Sequence, residues 1–446
     1  NLNLNITNLQ KFYAYGYFPS SKTLFKNVFK LKPGYFIDFD ISNMKTKIKK
    51  YWDFKLNPDY SLLNSSIDKL SEEFFELLVQ STKRRLMSDV PLGFFLSGGL
   101  DSTSILASAK TINDNDKLNA FTIGFQEKTF DETEWANIAS KNFNINHYLK
   151  YITINDLIKN ADQILNKNDI PIADPSLIPT FSLCKLASKK VKVALSGDGA
   201  DEILAGYDPF LAIKPAQFYN KIIPRPVHSF ILKLANCLPV SDNQLSFDFK
   251  IKKTLNALSY PKSFNCPIWM SILDPHEIND LFNTKISLED LYSETIELFE
   301  THKSESPFEN MLYFFTKFYL TDNILTKLDT ASMANSLETR TVFLDNDIIS
   351  FVEKLPLEFK IKNGNRKYIL KKAVENSVPN KIISRKKKGF GVPLSPWILN
   401  KSNDILNNKT IYNKNKIEEL IEEHKKSQKD NSRPLFGMLS LNKLIK

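Results

Sequence analysis

The sequence predicts an α/β fold built around a parallel β-sheet, and three observations lead to this prediction. Between residues 91 and about 205, short apolar runs alternate with helical patterns. Two of these runs end in loops rich in serine, glycine and aspartate, at 97–101 and 196–201. The region 206–446 is mostly helical in pattern. Because strands separated by helices require right-handed crossovers, we expect a parallel sheet covered by helices on both faces.

The predicted elements of this sheet follow one another in order along the chain. The apolar runs predict strands at Gly93–Leu96, Ala120–Phe125, 147–152 and Val191–Leu195. The intervening periodic segments predict helices from the first loop to Ala109 and at 131–143, 155–166 and 176–189. Apolar residues at helical spacing also predict a helix before the sheet and an amphipathic helix near the end of the chain, at Ile67–Met87 and about 415–427.

Residues 1–57 read as a short β-rich piece. The segment Tyr35–Asp40 alternates apolar and polar residues, and it is predicted to pair with Lys47–Phe54 across a polar turn. Two strands alone are marginally stable in water, so this hairpin must rest on another part of the protein. We expect one domain over residues 1–57 and a second over residues 58–446.

The first motif is the segment Phe94–Thr103, an apolar strand that ends in an S-G-G-x-D-S loop and opens a helix. Two glycines allow successive N–H groups to converge, and the helix N-terminus adds roughly half a positive charge. Ser97, Ser102 and Thr103 offer hydroxyl groups. The loop therefore suits phosphate or pyrophosphate, although it lacks the lysine of a Walker A loop. The Asp101 carboxylate suits Mg²⁺ carried by a nucleotide, and a plain glycine turn with a helix cap is the alternative.

The second motif, Val191–Glu202, is another strand that ends in a loop of small residues. Asp198, Asp201 and Glu202 place three carboxylates within five positions. Adjacent parallel strands would bring this loop beside the first one, at the edge of the sheet where α/β proteins bind ligands. Crowded carboxylates are unfavourable unless a cation neutralises them, which again indicates Mg²⁺. A solvated acidic cap on the following helix is the alternative.

Composition narrows the classes of partner. The 446 residues include 42% apolar and 25% charged residues, an ordinary globular balance. Lys and Arg total 60 against 50 Asp and Glu, but only seven of the 60 are Arg, and the Lys are spread along the chain. This favours a polyanionic small molecule such as ATP over nucleic acid. No apolar stretch approaches the roughly 18 residues of a membrane span, and three distant cysteines fit a reducing cytoplasm.

The pairing of S-G-G-L-D-S at 97–102 with S-G-D-G-A-D-E at 196–202 resembles the synthetase domain of glutamine-hydrolysing asparagine synthetases. Further matching segments follow in one order, at Phe130–Glu134, Ile172–Ser176, Ile324–Met333, Ser336–Arg340, Phe343–Asp345 and Lys387–Pro393. Upstream segments resemble the end of the family's glutaminase domain, at Tyr13–Pro19, Leu31–Gly34 and Tyr51–Trp52. The resemblance implies a parallel-sheet ATP-pyrophosphatase (PP-loop) domain with a helical C-terminal part, preceded by a β-rich remnant of a glutaminase domain.

The resemblance also implies a reaction and its site. Such enzymes let an aspartate carboxylate attack the α-phosphorus of ATP, which gives an acyl-adenylate and pyrophosphate, and ammonia then displaces AMP. The implied pyrophosphate contacts are Ser97, Gly98, Gly99, Asp101 and Ser102. The implied Mg²⁺ ligands are Asp101 and Asp201. The implied adenine pocket has Phe95 and Ile123 on its flanks, with Ser196 and Gly197 lining it.

Two catalytic residues are implied in the same way. Lys387 falls at the family's active-site lysine, where an ammonium would stabilise charge on the α-phosphorus and the leaving pyrophosphate. One more solvated lysine in the run 385–388 is the alternative. Asp198 falls near the acyl-adenylate and would guide or deprotonate ammonia. Three further residues match a helix that walls the site, or form structural salt bridges: Asp329, Glu338 and Arg340.

The sequence departs from the family at several positions. No cysteine precedes Cys184, whereas family glutaminase domains use a cysteine as their first residue. We therefore expect a missing upstream part, and this chain to use at most free ammonia. Ile170 stands where relatives carry Glu, which leaves open a carboxylate other than aspartate, such as a sugar acid or peptide side chain. Val342 replaces the usual Pro. The sequence also leaves open an RNA-modifying ATP-pyrophosphatase and a non-catalytic scaffold, and a homodimer is one option for the assembly.

Overall fold

The structure is a computed structural model of the chain. It describes residues 3–445 except 116, 128, 168, 239–246, 305, 386–390, 393–394, 407–410 and 443.

Five parallel strands form the central sheet, and two small antiparallel pairs lie outside it. In chain order the strands are β1 Tyr35–Asp40, β2 Lys45–Lys50, β3 Leu92–Phe95, β4 Asn119–Phe125, β5 Asn146–Ile152, β6 Val193–Ser196, β7 Glu338–Thr341, β8 Ile361–Lys362 and β9 Asn365–Arg366. The order in the central sheet is β5-β4-β3-β6-β7. The predicted parallel sheet is confirmed, and its four predicted strands lie within two residues of their expected bounds.

Helices surround this sheet and build most of the remaining chain. Those of the first half are Ile6–Tyr15, Tyr60–Asn64 (a 3₁₀ turn), Ile67–Leu86, Leu100–Ile112, Thr133–Asn142, Ile154–Lys167, Leu177–Ala187, Ala200–Ile203, Asp208–Ile222 and Arg225–Asn236. Those that follow are Phe247–Leu258, Lys262–Phe264 (3₁₀), Asn265–Met270, Pro275–Phe282, Leu288–Leu291, Ser293–His302, Pro307–Phe314, Phe315–Leu325 (π-helical), Thr326–Met333, Asn346–Lys354 and Leu357–Lys360. The last are Tyr368–Ala373, Asn380–Ile383, Ser395–Asn400, Ser402–Leu406, Lys414–Lys425 and Ser432–Asn442.

The core of the sheet is apolar on both faces, as a parallel sheet requires. Phe94 on β3 and Phe121 on β4 are almost completely buried. Gly93 leaves room for this packing, because a Cβ atom at that position would come within 2.6 Å of the Phe121 ring. The close approach of β3 and β4 therefore fixes the position at which the loop after β3 leaves the sheet.

The N-terminal segment contains a helix that the sequence pattern did not predict. Helix Ile6–Tyr15 begins after Asn5, whose side chain accepts a hydrogen bond from the backbone N–H of Asn8. Phe12 and Tyr13 are fully buried, and the Tyr13 hydroxyl donates to the hydroxyl of Tyr412 at 2.9 Å. Aromatic residues favour strands by propensity, whereas burial against helices Asn265–Met270 and Pro275–Phe282 decides the helical state here. The predicted pairing is confirmed as β1 and β2, but β2 covers Lys45–Lys50 and not Lys47–Phe54. Both strands are exposed along almost their whole length, so the expectation that the hairpin rests on another part of the protein is wrong. The proposed boundary near residue 57 stays a prediction.

The fifth strand of the sheet, β7, corrects one expectation from the resemblance. Glu338 and Arg340 lie on this edge strand and not on a helix that walls the site. Their side chains form an ion pair at 2.6 Å, and the Arg340 guanidinium also donates to the carbonyl of Met87. Both residues therefore form a structural salt bridge. In the described part of the chain, no helix is long and apolar enough to cross a membrane.

Candidate active site

The two glycine-containing loops lie side by side at one edge of the sheet. Their strands, β3 and β6, are adjacent and parallel, with Phe94 opposite Leu195. Both loops therefore leave the same edge. Gly197 packs against the first loop so closely that a Cβ atom there would come within 3.1 Å of the Asp101 Cβ. The structure thus brings together the two motifs that the sequence predicted to be neighbours.

The backbone conformation of the first loop depends on Gly98. This residue has a φ of +66°, a conformation that L side chains rarely adopt. A Cβ atom on Gly98 would come within 2.1 Å of the Trp135 carbonyl carbon, so the loop presses on the start of helix Thr133–Asn142. The Ser97 hydroxyl accepts from the Gly99 backbone N–H at 3.2 Å. The loop then continues into the 13-residue helix Leu100–Ile112, so the N-terminus of this helix lies directly after the loop.

The second loop has the same construction. Gly199 has a φ of +96° and fits against the Leu344 side chain, which a Cβ atom would meet at 2.5 Å. The buried Ser196 hydroxyl donates to the Asp198 carboxylate. This bond holds Asp198 beside the end of β6, and it orients the carboxylate that the resemblance assigns to ammonia handling.

A buried lysine joins the two loops. The Lys367 ammonium contacts the Asp101 carboxylate at 2.6 and 2.7 Å and the Asp201 carboxylate at 2.6 Å. The Lys367 side chain is only 6% exposed, and burial lowers its pKa although Asp101 raises it. Sequence reasoning missed this residue because no motif spacing connects position 367 with the loops. It is one lysine among several between 360 and 372.

A second buried carboxylate lies behind this ion pair. Burial raises the pKa of Glu202 to about 7, and the Tyr207 hydroxyl donates a hydrogen bond to it. Asp198 raises that pKa further, since a nearby negative charge disfavours ionisation. The site thus contains two carboxylates that pair with the Lys367 ammonium. A third carboxylate, that of Glu202, is partly protonated near neutral pH.

Phe95 and Ile123, the residues assigned to adenine, lie at the same edge on neighbouring strands. Both side chains are buried, at 8% and 6% exposure. Phe95 is opposite Phe121 in the sheet register, two residues before Ile123. Ser196 ends β6 on the other side of β3. The predicted adenine residues and the loops therefore share one side of the sheet.

Comparison with known proteins identifies the family of the chain. The family described as asparagine synthase matches residues 73–446. This chain belongs to the asparagine synthase family. It is 31% identical over 445 residues to asparagine synthetase (glutamine-hydrolyzing) 1 of Bacillus subtilis strain 168, covering 97% of this chain and 67% of that protein.

Further relatives show the same partial coverage. A putative asparagine synthetase (glutamine-hydrolyzing) of Mycobacterium bovis is 30% identical over 397 residues, covering 87% of this chain and 58% of the relative. Amidase chyE of Penicillium rubens is 25% identical over 416 residues, covering 84% and 60%. This asparagine synthase family chain therefore spans about three fifths to two thirds of the length of these relatives.

Lys387 lies outside the residues that the structure describes. Arg385, two residues before it, is firmly held: its guanidinium pairs with the Glu132 carboxylate and lies 5.1 Å from the centre of the Trp135 ring. Trp135 is also the residue against which Gly98 packs. Arg385 is thus anchored next to the first loop.

Other segments matched by the resemblance have structural partners. The Lys327 ammonium contacts Asp174 at 3.0 Å and the Ser176 hydroxyl at 2.7 Å, and it helps hold the pKa of Asp174 well below its usual range despite burial. The Asp345 carboxylate pairs with Arg84 and Arg85. These contacts tie helices Thr326–Met333 and Ile67–Leu86 to the loops that contain Asp174 and Asp345. Two remaining positions are exposed to solvent: Ile170 and Asp329.

The two proposed magnesium ligands, Asp101 and Asp201, are placed to share one cation. No group of three or more His, Cys, Asp or Glu residues suited to a metal occurs among the described residues. Asp101 and Asp201, however, both contact the same Lys367 nitrogen at 2.6 Å, so their oxygens can share a single positive centre. Carboxylate oxygens are the ligands that Mg²⁺ prefers, with nucleotide phosphates and water completing its shell.

Proposed function

We propose that this chain is an ATP-dependent ligase that converts aspartate to asparagine. The aspartate β-carboxylate attacks the α-phosphorus of ATP, an oxygen–phosphorus bond forms and the bond to pyrophosphate breaks. Ammonia then attacks the carbonyl carbon of the resulting aspartyl-adenylate, AMP leaves, and the nitrogen loses a proton. The family, the two loops and the ordered sequence matches support this assignment.

The observation that carries the proposal is the convergence of the two loops on one cation position. Asp101 comes from the loop after β3 and Asp201 from the loop after β6, yet their carboxylates lie within 2.6 Å of one nitrogen atom. Placed beside a glycine loop and a helix N-terminus, such a position suits a metal-bound polyphosphate. A phosphate-binding loop alone would not demand two converging carboxylates.

Each residue of the site then has a defined task. Backbone N–H groups and hydroxyls of the segment 97–102 would bind pyrophosphate. Asp101 and Asp201 would hold Mg²⁺, which supplies positive charge to the phosphate oxygens. The nonpolar Phe95 and Ile123 would flank adenine. Asp198, held by Ser196, would accept the proton that ammonia loses, and the Lys387 ammonium would stabilise charge on the leaving pyrophosphate.

We propose free ammonia as the nitrogen source for this chain and glutamine as the source in a longer parent protein. The relatives named as glutamine-hydrolyzing support the second statement, and the ammonia step that the family resemblance implies supports the first. A reducing cytoplasm is the proposed location, in keeping with three free cysteines, of which Cys184 is buried.

The experiment that tests this function follows all three products and the path of one oxygen atom. The chain is incubated with MgATP, ammonium and aspartate labelled with ¹⁸O in its β-carboxylate. We expect asparagine, pyrophosphate and AMP in equal amounts, with one ¹⁸O atom in the AMP. ADP in place of AMP, or AMP without label, would overturn the adenylate mechanism. A parallel reaction with glutamine in place of ammonium tests the nitrogen source.

A different carboxylate is the second candidate substrate, and two observations favour considering it. Ile170 replaces a family glutamate, and two matched relatives are named as amidases. The same reaction is therefore run with sugar acids and with peptides that carry aspartate or glutamate. Pyrophosphate release that depends on one of these acids but not on aspartate would replace the proposed substrate while keeping the reaction type.

A further inference from the structure

Lys367 occupies the cation position between the two loops. Its ammonium lies 2.6 Å from Asp101 and 2.6 Å from Asp201. The side chains of the three residues are only 6%, 21% and 12% exposed, so water screens the ion pairs weakly. With the Lys367 ammonium between the Asp101 and Asp201 carboxylates, there is no room for a second cation between them.

The surrounding backbone is built to place the lysine there. Gly206 faces the ion pair, and a Cβ atom on it would come within 2.0 Å of the Asp201 Oδ1 and 2.3 Å of the Lys367 Cε. Ala205 and Lys367 both adopt left-handed backbone conformations, with φ of +53° and +52°. Such conformations are unfavourable for residues other than glycine, so the fold sustains strain on both sides of this contact.

We propose that the Lys367 ammonium is a built-in competitor for the metal position. In the ligand-free protein it pairs with both Asp101 and Asp201, and a divalent cation can enter between them only by displacing it. A nucleotide polyphosphate gives the displaced ammonium a new anionic partner, so metal and nucleotide bind cooperatively and the bare metal binds weakly. This inference rests on the proposed function, since it takes these two carboxylates as the metal ligands.

The physical argument is one of charge balance. Two carboxylates in a poorly hydrated place need a positive partner, and removing one partner of a buried ion pair leaves an uncompensated charge. When a neutral side chain replaces Lys367, that partner must come from solution. A divalent cation is then no longer opposed by the ammonium, and its affinity for the ligand-free protein should rise.

The test measures Mn²⁺ binding by electron paramagnetic resonance without any nucleotide. We expect the unmodified chain to bind Mn²⁺ weakly and Lys367→Met to bind one Mn²⁺ at least 10-fold more tightly. Lys367→Arg keeps the charge and should bind as weakly as the unmodified chain. Lys381→Met, which neutralises an exposed lysine, is the matched control and should also leave the affinity unchanged. Equal affinities in Lys367→Met and the unmodified chain would overturn the proposal.

Thermal unfolding provides a second readout that can still be measured if the variant is destabilised. We expect Lys367→Met to unfold at lower temperature in EDTA and to recover with millimolar Mg²⁺, whereas the unmodified chain responds little. A variant that unfolds with no response to Mg²⁺ contradicts the proposal, and Lys367→Gln repeats the comparison with a polar side chain. Neither measurement requires turnover. A failed amide-forming assay beside tight Mn²⁺ binding would therefore overturn only the proposed function.

Discussion

Gly197 lies directly against Asp101. A Cβ atom on Gly197 would come within 3.1 Å of the Asp101 Cβ and 3.2 Å of the Ser102 backbone nitrogen. This contact is the point where the loop after β6 touches the loop after β3. Its closeness sets the separation of the two carboxylates that share the Lys367 ammonium, and therefore the size of the cation position.

Substitution of Gly197 by Ala should reduce activity far more than stability. The added methyl group must push the loops apart by a few tenths of an ångström, because distances of 3.1 to 3.3 Å are tighter than ordinary contacts. Since a misplacement of about 1 Å can cost roughly 100-fold in rate, a shift of this size should cost on the order of 10-fold. We expect a 10- to 100-fold loss of pyrophosphate release and a change of about 1 kcal/mol in the free energy of unfolding, measured by denaturant titration.

Gly364→Ala is a control matched for stability. Gly364 has a φ of +77° with nothing within 4 Å of an added Cβ, so alanine there costs about 1 kcal/mol of backbone strain without meeting a neighbour. This variant should keep full activity. Similar loss of activity in both variants would show that stability, and not the spacing of the loops, controls the rate.

Replacement of Asp101 by Asn should abolish pyrophosphate release while leaving the chain folded. The amide keeps the shape of the side chain but removes the negative charge that would hold Mg²⁺. Lys367 still has the Asp201 carboxylate as a partner, which limits the loss of stability. We expect at least a 100-fold fall in the rate of pyrophosphate release, measured with a coupled phosphate assay.

Asp114→Asn provides the comparison for that variant. The Asp114 side chain is 92% exposed, so its charge contributes little to folding or to the site. It should retain the activity of the unmodified chain. Undiminished pyrophosphate release by Asp101→Asn would remove Asp101 from the metal site.

The sheet and its two loops could be predicted from the sequence because short-range rules determine them. An apolar run of four residues followed by one serine and two glycines has few conformations open to it, and Gly98 has the positive φ that such a turn requires. Adjacent parallel strands then force the second loop beside the first. To predict that Gly197 lies beside Asp101, it was enough to know that β3 and β6 are neighbours in the sheet.

The remainder depends on contacts between distant residues, which no local pattern encodes. Lys367 belongs to a lysine-rich segment, and only the packed structure shows which of these lysines is buried between two carboxylates. Strand β7 contains the polar residues E-T-R-T and is recognisable only through its pairing with β6. Helix Ile6–Tyr15 is stabilised by burial against helices that lie more than 250 residues later in the chain.

Among the three adjacent lysines 386–388, only Lys387 should be essential. The alignment with the family motif assigns the active-site ammonium to this position, and a fixed positive charge there would stabilise the leaving pyrophosphate. We expect Lys387→Met to lose at least 100-fold in kcat, measured by AMP formation at saturating ATP and aspartate.

Lys386→Met and Lys388→Met are the controls, since they remove the same charge from neighbouring positions. Each should lose less than 3-fold. Equal losses in all three variants would indicate a general effect of positive charge, and a selective loss at position 386 or 388 would shift the assignment to that lysine.

Lys360 should make the stability of the chain increase with pH above neutrality. Burial lowers its pKa to about 7, and its ammonium donates to the Val352 carbonyl at 2.9 Å. The unfolded chain keeps the proton up to about pH 10.5, so between pH 7 and 10 it binds more protons than the folded chain. The free energy of unfolding should then rise by at most about 1.4 kcal/mol per pH unit. Below pH 7 the whole penalty of the buried charge remains.

Lys360→Met isolates this contribution, because other titrating groups cancel in the difference between the variant and the unmodified chain. We expect the variant to be more stable at pH 7, and the difference to shrink as pH rises from 7 to 9 in urea titrations. Lys354→Met, at an exposed position on a neighbouring helix, should give a difference that does not change with pH. A constant difference for Lys360→Met as well would mean that the buried ammonium stays charged, with Glu309 and Glu353 offsetting the cost of burial.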